Sequence, residues 1–258
     1  MSSTPSPVAR QLLSGLIDVV PEFTELEPYR DRNLNNWRKA GSYFLQGSTA
    51  KSFVLQVAQR EYGAVLFAEG QHLLNHAAEH RAHLLNAIKS NREPSPSWTL
   101  VTFYYFSLFV AMAWTRASNA AILYLDKDSI AEYCSGAGAK PGGGAFEAMA
   151  SLDSQTGISS VEFRKCATTH FHEAVWISVF KQTRKLFQAI RLQSSVRKAT
   201  VEEILALRGL ELFDGLTFDS PQAWPSKFRN AINYRPGFSY RSVVSSVRLK
   251  AKQIQLVM

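Results

Sequence analysis

Between residues 94 and 115 the chain runs for 22 residues without a charged side chain. The stretch carries Trp98, Leu100, Phe103, Tyr104, Tyr105, Phe106, Leu108, Phe109 and Trp114. About 20 apolar residues are enough to span a bilayer as a helix, so length alone leaves two environments open. The stretch also holds Ser95, Ser97, Thr99, Thr102 and Ser107, begins with two prolines, and has no flanking Lys/Arg cluster. These features favour the central helix of a folded core over a membrane span. A helix this apolar needs neighbours on most of its circumference, and the rest of the chain has to supply them.

The remaining pattern reads as more helix. Residues 8–20 are amphipathic and stop near Pro21, and 21–33 form a polar connector. A helix is expected over 36–45, ended by Gly47. A long one follows over 49–91, with Ser48 as cap and a bend near Gly63 or Gly70. Residues 98–116 form the aromatic helix. Residues 122–125 are a short strand or turn, and 126–133 one or two helical turns. The glycine-rich 136–144 is a loop. It leads into a β-hairpin whose arms are 145–152 and 158–165. Helical spacing returns over 168–192. It recurs over 200–213, where Thr200 and Glu203 make a capping-box pattern, and over 224–234. The tail, 239–258, fits neither period, and no internal repeat is present. The expected fold is mainly α, a helical bundle with a small inserted β-hairpin. It forms one helical domain over 1–258, with the hairpin around 145–165 and a basic C-terminal segment at 181–258.

Composition excludes disorder, since 46% of residues are apolar and only 19% charged. Two unpaired-looking cysteines, Cys134 and Cys166, and a polar first ten residues without an apolar signal core point to a reducing cytoplasm. The charge is unevenly placed. Residues 1–180 hold 15 Lys/Arg and 16 Asp/Glu, a balance of −1, whereas 181–258 hold 14 and 5, a balance of +9. The last acid is Asp219; Lys227, Arg229, Arg235, Arg241, Arg248, Lys250 and Lys252 follow it. A basic third on a neutral body is the footprint of a polyanionic partner, with nucleic acid the leading expectation and an acidic protein surface the other.

Four motifs carry possible chemistry. GAGAKPGGG, residues 136–144, fails the P-loop pattern because Lys140 is followed by Pro141 and no helix follows the loop, so it reads as a connector. His72, His76, His80 and His83, with Glu69, fall within an arc of roughly 80° on one helix face. Histidines four apart can share a metal, but a polar stripe packed against a neighbour is the plainer reading, and no metal or cofactor is expected. His172 and Glu173 stand at the start of a helix, either as an acid/base pair or as capping and first-turn charge. The last motif runs Phe228-Arg229-Asn230-Ala231-Ile232-Asn233-Tyr234-Arg235-Pro236-Gly237.

That last motif resembles the HEPN superfamily of small α-helical proteins. There an Arg, often followed by Asn, Asp or His, precedes a His by five residues near a helix end. Arg229 and Asn230 match its first part, and Tyr234 stands at the position of the His. The uncharged segment 98–116 also looks like a core helix common in such bundles. In the family the Arg and His of two protomers form a metal-independent ribonuclease site. The resemblance thus implies a helical bundle, a nucleic-acid partner, a second protomer or partner chain, and membership of a prokaryotic defence or toxin-type assembly. A phenol with pKa near 10 is a poor base at neutral pH, which favours a binding or regulatory subunit over a nuclease. If the chain does cleave RNA, Arg229 stabilises the phosphorane, Asn230 orients it, and Tyr234 or His172 carries the proton. Lys227, Arg235, Arg241, Arg248, Lys250 and Lys252 would hold the nucleic-acid backbone. A protein-interaction subunit without nucleic-acid contact is the competing class.

Overall fold

A computed structural model describes residues 33–89, 95–153, 156–196 and 224–234. The expected helices at 8–20 and 200–213 and the tail at 239–258 lie outside these residues. In chain order the elements are α1 (Leu34–Ala40), β1 (Tyr43–Ser48), β2 (Ser52–Ala58), α2 (Gln59–Lys89) and α3 (Pro96–Ala117). They continue with β3 (Ala121–Leu125), α4 (Lys127–Tyr133), β4 (Gly144–Asp153), β5 (Ile158–Lys165), α5 (Phe171–Val196) and α6 (Trp224–Tyr234).

The strands form one antiparallel sheet of order β1-β2-β5-β4-β3. This corrects the expectation of a mainly α bundle with a small inserted hairpin: the fold is mixed α/β. The β4–β5 hairpin is present where expected, but it forms the middle of the sheet. Two segments read as helix are strands. Residues 43–48 do not continue α1, because Gly41 ends that helix in the left-handed region, at φ +68°, which glycine enters without a Cβ clash. Residues 52–58 do not open the long helix. There Phe53, Leu55 and Val57 are buried while Ser52, Val54 and Gln56 alternate with them, a period of two.

The odd-numbered face of β2 builds the first core. Phe53 stacks on Phe163 at 4.6 Å between centroids and meets Tyr133 of α4 at 5.4 Å. Leu55, Val57, Val161, Phe146 and Ala148 share this face with Trp37 of α1 and Tyr62 of α2. A second, smaller core forms at the β3–β4 end of the opposite face. There Ile122 and Ala145 meet Tyr104, Leu108 and Ala111 of α3 and Ala174, Val175, Trp176 and Val179 of α5.

The uncharged segment is α3. Among the described residues Ser97–Ala117 is the one helix long and apolar enough to cross a membrane. Here it packs against α2, α5 and α6, with Val101, Tyr104, Leu108 and Ala111 buried and Trp98 and Val110 exposed. Its one charged residue, Arg116, is buried and donates from Nη2 to Glu69 Oε2 at 3.2 Å and from Nη1 to the Ile122 carbonyl at 2.9 Å.

Just beyond α3, Asn119 takes a left-handed backbone, φ +52°. Its side chain extends the β3–β4 ladder: Nδ2 donates to the Ala150 carbonyl at 2.8 Å and Oδ1 accepts from the Ala150 N–H at 2.9 Å. Asparagine tolerates this backbone better than most residues, so both reasons favour it here. Asn119→Ala is expected to lose about 1–3 kcal/mol, the sum of a stranded amide and a strained alanine. Asn119→Gly should recover the strain but not the hydrogen bonds, which urea denaturation of the two variants will separate.

Candidate functional site

His172 is the second residue of α5. The loop before it is fixed by Thr168, whose hydroxyl donates to Glu173 Oε2 at 2.7 Å and accepts from the His170 N–H at 3.2 Å. Glu173 is thereby engaged with the Thr168 hydroxyl at the helix start. His172 instead turns to α3, where its Nδ1 lies 3.2 Å from the Tyr104 hydroxyl. The ring also meets Tyr105 edge-on at 6.4 Å.

From α6, Arg229 reaches the same place. Its Nη2 donates to the Tyr105 hydroxyl at 2.6 Å, and the guanidinium carbon lies 5.6 Å from the Tyr105 ring centroid. Its Nη1 donates to Asn230 Oδ1 at 2.8 Å, so the exposed Asn230 braces the guanidinium. Arg229 and His172, far apart in sequence, are therefore joined through adjacent tyrosines of α3. Tyr234 is the last residue of α6, five positions beyond Arg229.

The electrostatics follow from this packing. Burial, and then the positive charge of Arg229, hold the His172 imidazole below the usual histidine range, so it is neutral at pH 7. Burial raises the Tyr104 phenol above its usual range, so it keeps its proton. A protonated phenol facing a neutral imidazole makes a donor–acceptor pair when the imidazole proton sits on Nε2. The arrangement can hold an anionic group against Arg229; the imidazole offers a free basic nitrogen only in the other tautomer, with Nδ1 donating to the Tyr104 oxygen.

The histidine stripe extends the same surface. His80 stacks on Tyr105 at 6.0 Å and on Phe109 at 5.4 Å, and His76 stacks on Phe109 at 5.3 Å. Burial and the neighbouring His83 and His76 lower the His80 pKa. Glu69, considered as a possible metal ligand alongside the stripe, is engaged elsewhere: Oε2 accepts from Arg116 and Oε1 from the Leu34 N–H at 2.9 Å. Among the described residues no group of three His, Cys, Asp or Glu is placed to hold a metal ion.

The basic residues divide in two. Lys227 is exposed on α6, two residues before Arg229, and Arg184 and Lys185 are exposed on α5. Lys181 is paired with Glu147 Oε2 at 3.1 Å. Arg235, Arg241, Arg248, Lys250 and Lys252 lie outside the described residues. Sequence reasoning singled out His172, Arg229 and Asn230 but placed Tyr104 and Tyr105 only in the core of a helix. A tyrosine pair inside an otherwise uncharged helix is the signal that was there to find, because a buried phenol needs a polar partner. No protein-family model, curated protein or solved structure matches the chain.

Proposed function

We propose that this chain binds nucleic acid, RNA foremost, through phosphate contacts centred on Arg229 and continued by its basic C-terminal third. In this reading it serves as a binding or regulatory subunit of a larger prokaryotic assembly of the defence or toxin type. The observation that carries the proposal is the meeting of Arg229 with Tyr104, Tyr105 and a neutral His172 at the junction of α3, α5 and α6. Guanidinium groups suit phosphate because they donate in a planar fork. The +9 balance of residues 181–258 supplies long-range attraction for the same partner. A distant HEPN-like origin is part of the proposal and rests on the α6 motif alone, since the five-stranded sheet is not a feature of an all-α bundle.

The test is fluorescence anisotropy with a labelled single-stranded RNA. Binding is expected at about 50 mM salt and should weaken by orders of magnitude by 200 mM as counterion release is lost. Arg229→Ala should lower affinity about tenfold or more, the loss of a charge-assisted contact worth roughly 1.5–3 kcal/mol. Lys227→Ala should reduce the salt slope by about one. An absence of RNA and DNA binding at low salt would sink the proposal in favour of a protein-interaction subunit. The neutral His172 beside Arg229 favours a second reading, metal-independent RNA cleavage. The same samples with chelator will show it as product that disappears in Arg229→Ala and His172→Ala.

A further inference from the structure

The end of the sheet formed by the β1–β2 turn, the last residue of β5 and the loop before β4 gathers four lysines. The Lys165 N–H donates to the Lys51 carbonyl at 2.8 Å, and the Ser48 hydroxyl donates to the Ala139 carbonyl, next to Lys140. A Cβ on Gly143 would stand 3.5 Å from the Lys127 backbone nitrogen, which places the start of α4 beside the loop. Lys51, Lys127, Lys140 and Lys165 have no ion-pair partner among the described residues. The nearest acid in the adjoining turn, Asp126, accepts from the Ser129 N–H at 2.7 Å to cap α4. Asp128 in the first turn of α4 leaves the local balance positive.

Lys165 is the unusual member, because it is only half exposed and lies along glycine backbone. Its Nζ is 3.5 Å from the place of a Cβ on Gly142, and its Cε is 3.5 Å from that of Gly144. Gly144 has φ +147°, which reserves the position for glycine. The amide N–H groups of Gly142 and Gly143 find no acceptor among the described residues. A half-buried lysine without a carboxylate partner, beside loop amides that make no hydrogen bond within the described residues, is a combination that an anion completes.

We propose that this loop binds a phosphate group, with the Lys165 ammonium and the Gly142 and Gly143 amides as its principal donors and Lys140 and Lys51 as flanking charge. The site stands apart from the Arg229 cluster in residues and elements. The phosphate belongs either to a free phosphate or mononucleotide, or to the backbone of a nucleic acid.

The full chain should be titrated with inorganic phosphate and with adenosine monophosphate by ³¹P NMR. An oligoribonucleotide without terminal phosphates should be titrated in parallel by anisotropy. Lys165→Gln removes the charge and keeps the stem. Gly142→Ala fills the space beside Nζ at a position with no left-handed φ, so it keeps the test available if Lys165→Gln fails to fold. Lys89→Gln, on the exposed end of α2, is the control. Saturable binding of phosphate and nucleotide, with a dissociation constant of about 1 mM that rises at least tenfold in both loop variants and not in the control, supports a free-phosphate site. Oligonucleotide affinity falling about tenfold in the loop variants alone, without phosphate saturation, supports a backbone site. If folded loop variants bind all three probes like the parent, or no probe binds, the proposal is overturned. An oligonucleotide response to Arg229→Ala but to neither loop variant, without phosphate or nucleotide binding, overturns it while leaving the Arg229 reading intact.

Discussion

Replacing Glu69 by alanine is expected to destabilise the protein by about 3–5 kcal/mol, the range for stranding one member of a buried ion pair. Arg116 is 5% exposed and Glu69 18%, so water cannot take over the lost partner. The carboxylate also serves as acceptor for the Leu34 N–H at the start of α1. One side chain of α2 thus holds α1, α3 and, through Arg116 and the Ile122 carbonyl, β3. A loss of this size is a large part of the 5–15 kcal/mol that folded proteins typically have, and should lower Tm by on the order of 10 °C. Glu69→Gln keeps an acceptor for Leu34 while leaving the guanidinium unneutralised, so it should fall between parent and Glu69→Ala. Combining Glu69→Leu with Arg116→Met removes both charges and should recover most of the loss. The part that remains belongs to the Leu34 N–H and the Ile122 carbonyl, each left without its partner. A double variant no more stable than Glu69→Ala would show that the pair itself is not what holds these elements.

How much of the fold is legible in the sequence depends on where the partners of each element lie. Helix α3, the β4–β5 hairpin, and the helices at 171–196 and 224–234 stood out because each has a clean local period or a clear stop signal. Strands β1 and β2 did not. Residues 43–48 and 52–58 are short, each lies directly beside a helix, and Ala58 runs into Gln59 of α2 without an intervening turn residue. Their strand character comes from pairing partners distant in sequence: Phe53 is matched to Phe163 and Leu55 to Val161. Local periodicity cannot display such a partner, so tertiary context overrode it. Once those two strands exist, the hairpin ceases to be an insertion and becomes the centre of a sheet.

The candidate site was legible by a different route. Arg229 and Asn230 were marked by a short motif and His172 by its place at a helix start, with nothing in the sequence to link them. The link is made by Tyr104 and Tyr105, whose hydroxyls face different partners, His172 and Arg229, from adjacent positions on α3. Neighbouring residues on a helix point about 100° apart, so a tyrosine pair can serve two flanking helices at once. Glu69 shows the same limit. Its position on the arc with His72 and His76 is real, but its charge is committed to Arg116, which no helical-wheel argument on α2 alone can reveal.

Phe53→Ala is expected to have the other large effect, about 3–5 kcal/mol, the range for deleting a buried ring. Phe53 is fully buried in the sheet's first core, stacked on Phe163 with planes 4° apart and in contact with Tyr133 and Phe146. The cavity would open between β2, β5 and α4, among the rings of Phe163, Tyr133 and Phe146. Phe53→Leu preserves most of the volume and should cost about half as much or less. This pair of variants also separates fold from function. Phe53 belongs to the core on the opposite face of the sheet from Tyr104 and Val175. RNA affinity measured below the unfolding transition should therefore be unchanged in Phe53→Leu while Tm falls. Arg229→Ala should show the reverse, a loss of affinity with a smaller fall in Tm, because Arg229 belongs to neither hydrophobic core. If Phe53→Leu weakened RNA binding as much as Arg229→Ala does, the Arg229 effect would have to be read as general loosening of the protein rather than loss of a phosphate contact.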